Sequence, residues 1–259
     1  MILQSVERFC KRGSHHPFEL PIVQQLETIE FSSPVTFFVG ENGTGKSTLL
    51  ESIAIAARSV AVGGTDLEAD PTLQTSRDLS EQLRLSWTRR TKRGFFLRAE
   101  DFFGFAQRIA QSRQEMEDLE QEFEGKFEGY AKQLAVGVAR GQNQALERYS
   151  QLQTSSHGEG FLHLFQERFV PEGLYFLDEP EAALSPQRQL ALLALMKDLV
   201  EERAQFIVAS HSPILMAFPG ATLLSFDRVP PEPVAWAELE HVRLTRDFLT
   251  NPERYLRYL

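Results

Sequence analysis

The stretch that decides the fold runs from Val35 to Ser47 and reads VTFFVGENGTGKS. Its first five residues are continuously apolar and stop at a glycine, which is typical of a strand buried on both faces. The next eight, Gly40 to Ser47, fit the phosphate-binding pattern GxxxxGK[ST] without a mismatch. Apolar residues then recur at helical spacing: Leu49, Leu50, Ile53, Ala54 and Ala57. The sequence therefore predicts a strand, a glycine loop and a helix in succession.

This order is the structural context that the phosphate-binding pattern requires. Glycines let backbone N–H groups turn toward phosphate oxygens, Lys46 places a positive charge at the β and γ phosphates, and the Ser47 hydroxyl can bind Mg²⁺. The alternative is a glycine-rich turn in a protein that binds no nucleotide. The predicted nucleotide-binding residues are Gly40, Glu41, Asn42, Gly43, Thr44, Gly45, Lys46, Ser47 and Thr48.

Composition excludes several classes of protein. The chain has 259 residues, 42% hydrophobic and 24% charged, which is ordinary for a globular protein with one large core. A formal net charge of -9 argues against attachment to nucleic acid or an anionic membrane through the overall field, although a local basic patch stays open. The one cysteine, Cys10, cannot form an internal disulfide. With no apolar run of roughly 18 residues, we expect a cytoplasmic protein without direct membrane insertion.

Two adjacent acids end a second apolar strand, Leu174 to Leu177, far along the chain from the glycine loop. Ligands bind at the carboxyl ends of parallel strands, so we expect Asp178 to hold Mg²⁺ and Glu179 to polarise the attacking water. The alternative is a helix N-cap, because acids also suit the helix dipole before Pro180.

A third apolar strand, Phe206 to Ala209, leads to a histidine. His211 would stand at the same edge of the sheet as Asp178, where its imidazole can donate a hydrogen bond to a γ-phosphate oxygen. The alternative is an ordinary loop histidine. Another apolar strand is expected at Thr222 to Phe226, and an amphipathic helix at Gln187 to Arg203.

Alternating strands and helices predict an α/β fold with a mostly parallel central sheet and helices on both faces. Leu83 to Trp87 and Phe95 to Leu97 flank a basic turn and predict an antiparallel β-hairpin, while Ala61 to Asp78 is interpreted as a loop. Gln107 to Gln153 is charged and predicts two or three short helices. We expect one domain, 1–259, with a helical subdomain at about 103–170 and a helical C-terminal tail at about 236–259.

Small residues from Ser155 to Gly160 precede an amphipathic run, and they predict either a second anion site or a simple helix cap. Taken in order, the glycine loop, Ser156 to Glu159, LYFLDEPEAALSP and FIVASHSP resemble the ABC-type P-loop ATPases. The resemblance is to the soluble group that includes Rad50, SMC and RecF and to small ATPases of the AAA type. It covers most of Val35 to Pro213.

The resemblance implies roles for several residues. Asp178 and Glu179 match the Walker B aspartate and the catalytic carboxylate, and His211 matches the switch histidine. Ala183, Leu184 and Ser185 match the D-loop, with Ser185 in place of its aspartate. The residues that match the signature motif are Ser156, Gly158 and Glu159, with His157 where the family has a glycine.

Two further positions follow from the same resemblance. No glutamine occupies the Q-loop position, where Glu100 is the candidate for lining the γ-phosphate and the metal. Phe18 either stacks on adenine or belongs to the core beside Pro17. The absence of an NKxD sequence disfavours a GTPase.

The resemblance implies that the protein uses ATP and Mg²⁺ and forms a homodimer on ATP binding, with Ser156 and Gly158 of each chain completing the partner's site. The hypotheses for its partner are DNA, suggested by the basic turn Arg89 to Arg93, and a separate effector protein, and the hypothesis for its role is DNA repair or phage defence. The alternative, and the more usual interpretation of such a turn, is an ordinary solvated surface. Alternatives are a membrane transporter's nucleotide-binding subunit and a nucleotide-gated regulatory switch.

Overall fold

The structure is a computed structural model of the whole chain. It describes all residues except 11, 63–66, 68–69, 102–103, 105–110, 113, 116–117, 120–156 and 258–259, and it describes 157–159 by their backbone alone. Most of the predicted helical subdomain therefore lies outside the described residues. The predicted division of the chain into a domain, a subdomain and a tail stays a prediction.

A six-stranded sheet forms the centre of the protein. Its strands, in chain order, are β3 (Val35–Val39), β5 (Gly94–Arg98), β6 (Leu174–Asp178), β7 (Gln205–Ala209), β8 (Thr222–Ser225) and β9 (Glu232–Pro233). The spatial order is β5-β6-β7-β3-β8-β9, with every pairing parallel except the one between β8 and β9. The predicted α/β fold with a mostly parallel sheet is confirmed.

Helices cover both faces of this sheet. Their bounds are α1 (Pro21–Gln24), α2 (Lys46–Ala56), α3 (Gln74–Ser80), α4 (His157–Arg168), α5 (Pro186–Glu201), α6 (Glu240–Thr250) and α7 (Glu253–Leu256). Shorter 3₁₀ turns lie at Pro71–Leu73, Pro180–Ala183, Leu215–Ala217 and Trp236–Glu238. No helix among these described elements is long and apolar enough to cross a membrane.

The continuous apolar strands are explained by a core on each side of the sheet. Phe37 of β3 packs into one core with α4 and α5, and Phe38 packs into the other with α2. Successive side chains of a strand point to opposite faces, so a strand covered on both sides needs apolar residues at every position. All five residues of β3 are buried for this reason.

The predicted β-hairpin is wrong. Its first strand, β4 (Leu83–Trp87), pairs antiparallel with β1 (Leu3–Arg8), which also pairs with β2 (Thr28–Glu30) in a separate three-stranded sheet. Its second strand, β5, instead lies parallel to β6 in the central sheet. Phe95, Phe96 and Leu97 are all buried, and a hairpin with one solvated face would leave one of them exposed.

The loop predicted for Ala61 to Asp78 is also partly wrong, because its second half contains the 3₁₀ turn Pro71–Leu73 and most of α3. Leu73 and Leu79 are buried against α2, and this packing outweighs the polar composition of the segment. The Asp70 carboxylate accepts a hydrogen bond from the Thr72 N–H at 2.9 Å and begins the helical turn.

Candidate functional site

The predicted residues of the glycine loop, the acidic end of β6 and His211 come together at the carboxyl edge of the central sheet. Asp178 ends β6 and pairs in register with Ala209 of β7, which in turn pairs with Phe38 of β3. The glycine loop follows β3, and His211 follows β7 after one residue. Parallel strands end at a common edge, so segments far apart in sequence meet there.

The glycine loop adopts backbone conformations that only glycine takes without strain. Gly45 has φ +93° at the start of α2, and a Cβ at this position would lie 2.8 Å from Ile22 Cγ2. Gly40 has φ +143°, and its Cβ would lie 2.8 Å from the Asp227 carboxylate. That carboxylate accepts a hydrogen bond from the Glu41 N–H at 2.8 Å. The loop is therefore held from its outer side by an acid beyond β8.

Lys46 is buried inside the loop. Its ammonium group donates hydrogen bonds to the carbonyl oxygens of Gly40 at 2.8 Å and Glu41 at 2.7 Å. Desolvation lowers the pKa of Lys46, while the charges of Glu179, Asp227 and Asp178 oppose that shift. Both carbonyl partners are neutral, so a phosphate oxygen would be a stronger acceptor for the same ammonium group.

Ser47 and Asp178 are in direct contact. The Ser47 hydroxyl donates a hydrogen bond to Asp178 Oδ1 at 2.9 Å, although the two residues lie 131 positions apart in the chain. Burial raises the pKa of Asp178 to about 7, and the Ser47 hydrogen bond opposes that rise. A hydroxyl and a carboxylate are hard oxygen ligands of the kind Mg²⁺ takes beside substrate phosphates, so these two residues fit that metal.

Glu179 has a strained backbone and faces His211. Its φ is 47° and its ψ 48°, a left-handed conformation that costs a non-glycine residue about 1–3 kcal/mol. The Glu179 N–H is held by the Ala209 carbonyl at 2.9 Å, and its carboxylate lies 3.9 Å from His211 Nε2. The Glu179 side chain is 47% exposed, so solvent can reach its carboxylate.

The surroundings of His211 favour the neutral form of its imidazole. Desolvation lowers its pKa, and the nearby Lys46 lowers it further. Its Nε2 is a buried atom without a hydrogen-bond partner in the described structure. Such an atom calls for a ligand or a mobile partner. A γ-phosphate oxygen, as predicted from the sequence, would satisfy it.

Glu181 is a functional candidate that the sequence did not reveal. Its carboxylate accepts hydrogen bonds from the Ser210 hydroxyl at 2.9 Å and from the His211 N–H, and burial raises its pKa. The contact joins the 3₁₀ turn after β6 to the loop after β7. It therefore fixes the backbone that carries the switch histidine relative to Glu179.

A cavity of about 320 Å³ lies over the glycine loop, and its lining includes His16, Leu20, Lys46, Ser47 and Glu179. His16 is a second residue that sequence analysis missed, since a lone histidine beside a proline carries little signal. Phe18, by contrast, is only 5% exposed and belongs to the core, with the Arg8 guanidinium 5.3 Å from its ring centroid. The adenine-stacking alternative for Phe18 is therefore wrong.

The remaining predicted residues have different outcomes. Glu100 lines a cavity of about 460 Å³ together with Ser47 and Asp178, but its side chain is 75% exposed. Ser156 lies outside the described residues, and Gly158 and Glu159 are described only as backbone in the first turn of α4. Their assignment to the nucleotide site stays a prediction.

The basic turn lies at the opposite end of the sheet, before β5. There Glu172 forms ion pairs with Arg89 at 2.8 Å, with Arg93 at 3.7 Å and with Arg203 at 3.2 Å. Arg90 lies over the Trp87 ring, with its guanidinium 6.0 Å from the ring centroid. An acid shared by three arginines neutralises part of this patch.

Comparison with known proteins places these features in a family. Residues 16–203 match the AAA domain family, a range that contains the glycine loop, both acids and α5. The chain belongs to the AAA domain family. Together with the motifs, the match confirms the recognition of this AAA domain protein as an ABC-type P-loop ATPase domain.

Individual similarities are more limited. This AAA domain protein is 36% identical to the DNA repair protein RAD50 of Saccharomyces cerevisiae over 66 residues, which are 24% of this chain and only 5% of that protein. Among solved structures, it is similar to a nucleotide-free ATP-binding cassette from an ABC transporter, with 14% identity, a TM-score of 0.47 and coverage of 100% and 99% of the two chains. It is also similar to the Smc head domain from Pyrococcus furiosus, with 11% identity, a TM-score of 0.45 and coverage of 97% and 99%.

Proposed function

We propose that this AAA domain protein binds ATP with Mg²⁺ in the cytoplasm and hydrolyses it. The observation that carries the proposal is the 2.9 Å hydrogen bond between the Ser47 hydroxyl and the Asp178 carboxylate. This hydrogen bond joins the phosphate-binding loop to the acidic end of β6. In the sequence, the two motifs are separate patterns with nothing to show that they meet. Two independent motifs that meet at a strand edge are a stronger argument than either alone.

Each residue of the site has a role in this reaction. The amides of the glycine loop and Lys46 bind the β and γ phosphates, and Ser47 and Asp178 hold Mg²⁺, which supplies charge stabilisation. Glu179 orients and polarises the attacking water, and His211 donates a hydrogen bond to the γ-phosphate. His16 and Leu20 lie at the rim of the same cavity, where they would contact the base.

Phosphate release from ATP tests the proposal. The purified chain is expected to release phosphate in the presence of Mg²⁺. The release should stop when EDTA removes the metal, because the negative charge of the transferred phosphoryl group then loses its counter-ion. Equal rates with and without Mg²⁺ would contradict the metal assignment. Tight ATP binding without any release would instead favour the nucleotide-gated regulatory switch.

The site also supports a homodimer that forms on ATP binding. Lys46 and Glu179 line the cavity over the glycine loop from this chain, and a γ-phosphate bound there would still face water on the side away from the loop. Closure by a second copy through Ser156 and Gly158 would remove that water. In turn, Ser156 and Gly158 of the first copy would complete the site of the second, so two nucleotides would be enclosed.

Light scattering on the Glu179→Gln variant checks this prediction, because slow turnover keeps ATP bound. With ATP and Mg²⁺ we expect a particle of twice the 29.5 kDa of one chain, and with ADP a single chain. The double variant Glu179→Gln, Lys46→Ala is the control, since it keeps the slow chemistry but loses the nucleotide. A monomer at saturating ATP would rule out nucleotide-driven dimerisation.

DNA is the partner that one observation favours. The exposed basic residues Arg90 and Lys92 remain outside the Glu172 cluster, and the 66-residue similarity is to a DNA repair protein. Stimulation of phosphate release by duplex DNA, lost at high salt, would support a DNA-linked role such as repair or phage defence. A DNA-independent rate would favour a separate effector protein or a transporter partner.

A further inference from the structure

A buried arginine ends the strand beside the metal site. Arg98 is the last residue of β5 and pairs in register with Asp178 of β6. Its side chain is only 7% exposed. Arginine is almost never buried unless its charge is paired. The partners of this guanidinium therefore indicate what it does at this edge.

Two of these partners fix the guanidinium firmly. Asp101 accepts two hydrogen bonds, from Arg98 Nε at 2.7 Å and from Nη2 at 3.1 Å. Asp70 accepts another from Nη2 at 2.9 Å. Asp101 lies in the helical turn that follows β5, and Asp70 begins the turn before α3. One side chain thus joins the end of β5 and the turn after it to the segment before α3, which is separate in the sequence.

The same guanidinium also contacts two acids that line a cavity together with the metal-binding pair Ser47 and Asp178. Arg98 Nη1 lies 3.7 Å from the Glu51 carboxylate and 3.4 Å from that of Glu100. Glu51 is four residues after Ser47 on α2, so the two side chains share one face of the helix. A cavity of about 460 Å³ contacts Arg98 and Glu51 as well as Ser47 and Asp178.

Stability alone does not account for this cluster. A buried ion pair is a weak source of stability, because the desolvation of its charges offsets their attraction. Here one cation faces four carboxylates, those of Glu51, Asp70, Glu100 and Asp101. Two of these acids border the cavity that contains the metal-binding pair. Without this guanidinium, Glu100 would lose its ion pair and Glu51 would keep only the hydrogen bond that it accepts from the Ser76 hydroxyl at 2.6 Å, so both acids would gain freedom to turn toward the metal.

We propose that Arg98 is a positioning residue for the metal site, holding Glu51 and Glu100 beside itself so that Ser47 and Asp178 meet the metal in one arrangement. The proposal rests on the proposed function, since it concerns the Mg²⁺ of the bound nucleotide. The planar fork of arginine suits this task, because it bonds several carboxylates in fixed directions. A lysine would keep the charge but not those directions.

The variants Arg98→Lys and Asp101→Asn test the proposal without emptying the cluster. The main measurement is the affinity for nucleotide, once in EDTA and once in Mg²⁺. The ratio of the two affinities gives the gain in affinity that the metal provides. We expect affinity in EDTA within about twofold of the unmodified chain and a gain from Mg²⁺ that falls about tenfold, with a similar fall in kcat. In the double variant, the gain in affinity from Mg²⁺ should fall no further than in the more affected single variant, because both changes break the same contact between Arg98 and Asp101.

Arg89→Lys is the matched control, since it alters an arginine–carboxylate contact at the far end of the sheet. It should leave the gain from Mg²⁺ unchanged. An unchanged gain in Arg98→Lys and Asp101→Asn would overturn the positioning role, and so would a parallel loss of affinity in EDTA and of thermal stability. If the unmodified chain itself gains nothing from Mg²⁺ and releases no phosphate, the proposed function fails instead.

Discussion

Replacement of Glu179 by glutamine is expected to lower the kcat of ATP hydrolysis by roughly a thousandfold, within the usual range for loss of a general base. The amide keeps the size of the side chain but cannot accept the proton of the attacking water. The Glu179 carboxylate makes no hydrogen bond to the P-loop, so ATP affinity should change little. Phosphate release and binding of a fluorescent ATP analogue, measured on the same preparation, give the two numbers.

The matched control is Glu201→Gln, an equivalent change at the exposed end of α5. It should leave both kcat and affinity unchanged. If the Glu179→Gln variant hydrolyses ATP at the normal rate, another group must act as the general base. By position, the replacement would be Glu181, which lies two residues further on and whose carboxylate accepts a hydrogen bond from the His211 N–H.

The left-handed backbone at Glu179 explains why its carboxylate, rather than that of Asp178, is available to the attacking water. A residue at φ 47° is strained, and such strain persists only where the surrounding structure enforces it. Here the Ala209 carbonyl holds the Glu179 N–H at 2.9 Å. The chain turns sharply after β6, and the carboxylate is directed outward from the strand end. Asp178, one residue earlier, instead stays buried against Ser47.

Much of the central sheet could be predicted because its strands are buried on both faces. Continuous apolar runs predicted β3, β6, β7 and β8 within one or two residues of their ends. The strands β1 and β2 were missed, since LQSVER and TIE are mostly polar and become strands only through the sheet that they form with β4. The same dependence on tertiary pairing explains why β5 was assigned to a hairpin.

The candidate site was predictable where a residue follows a strand or belongs to the glycine loop. Asp227, just beyond β8, could have been found by the same rule, because the end of that strand reaches the same edge. Arg98 ends a strand in the same way, yet a single arginine there carries no specific pattern. Glu181 could not be found, since its contact with the His211 backbone depends on how two loops meet.

Lys46→Ala is expected to weaken ATP binding by about a hundredfold, the equivalent of about 2.7 kcal/mol. The ammonium group now donates to the Gly40 and Glu41 carbonyls, and phosphate oxygens would replace or join these acceptors. Hydrogen bonds to charged groups contribute about 1.5–3 kcal/mol each, so the loss of one or two gives this magnitude. Titration calorimetry with ATP and Mg²⁺ measures the change directly.

Loss of the loop contacts could by itself disturb the site, so the fold must be measured separately. Thermal melting of Lys46→Ala reports the fold, and Lys197→Ala, at an exposed position of α5, controls for the loss of a lysine. A folded Lys46→Ala chain with unchanged ATP affinity would contradict the assignment of Gly40 to Thr48 as the phosphate site. The acids at 178 and 179 would then have no phosphate to act on, and the proposed hydrolysis would fail with them.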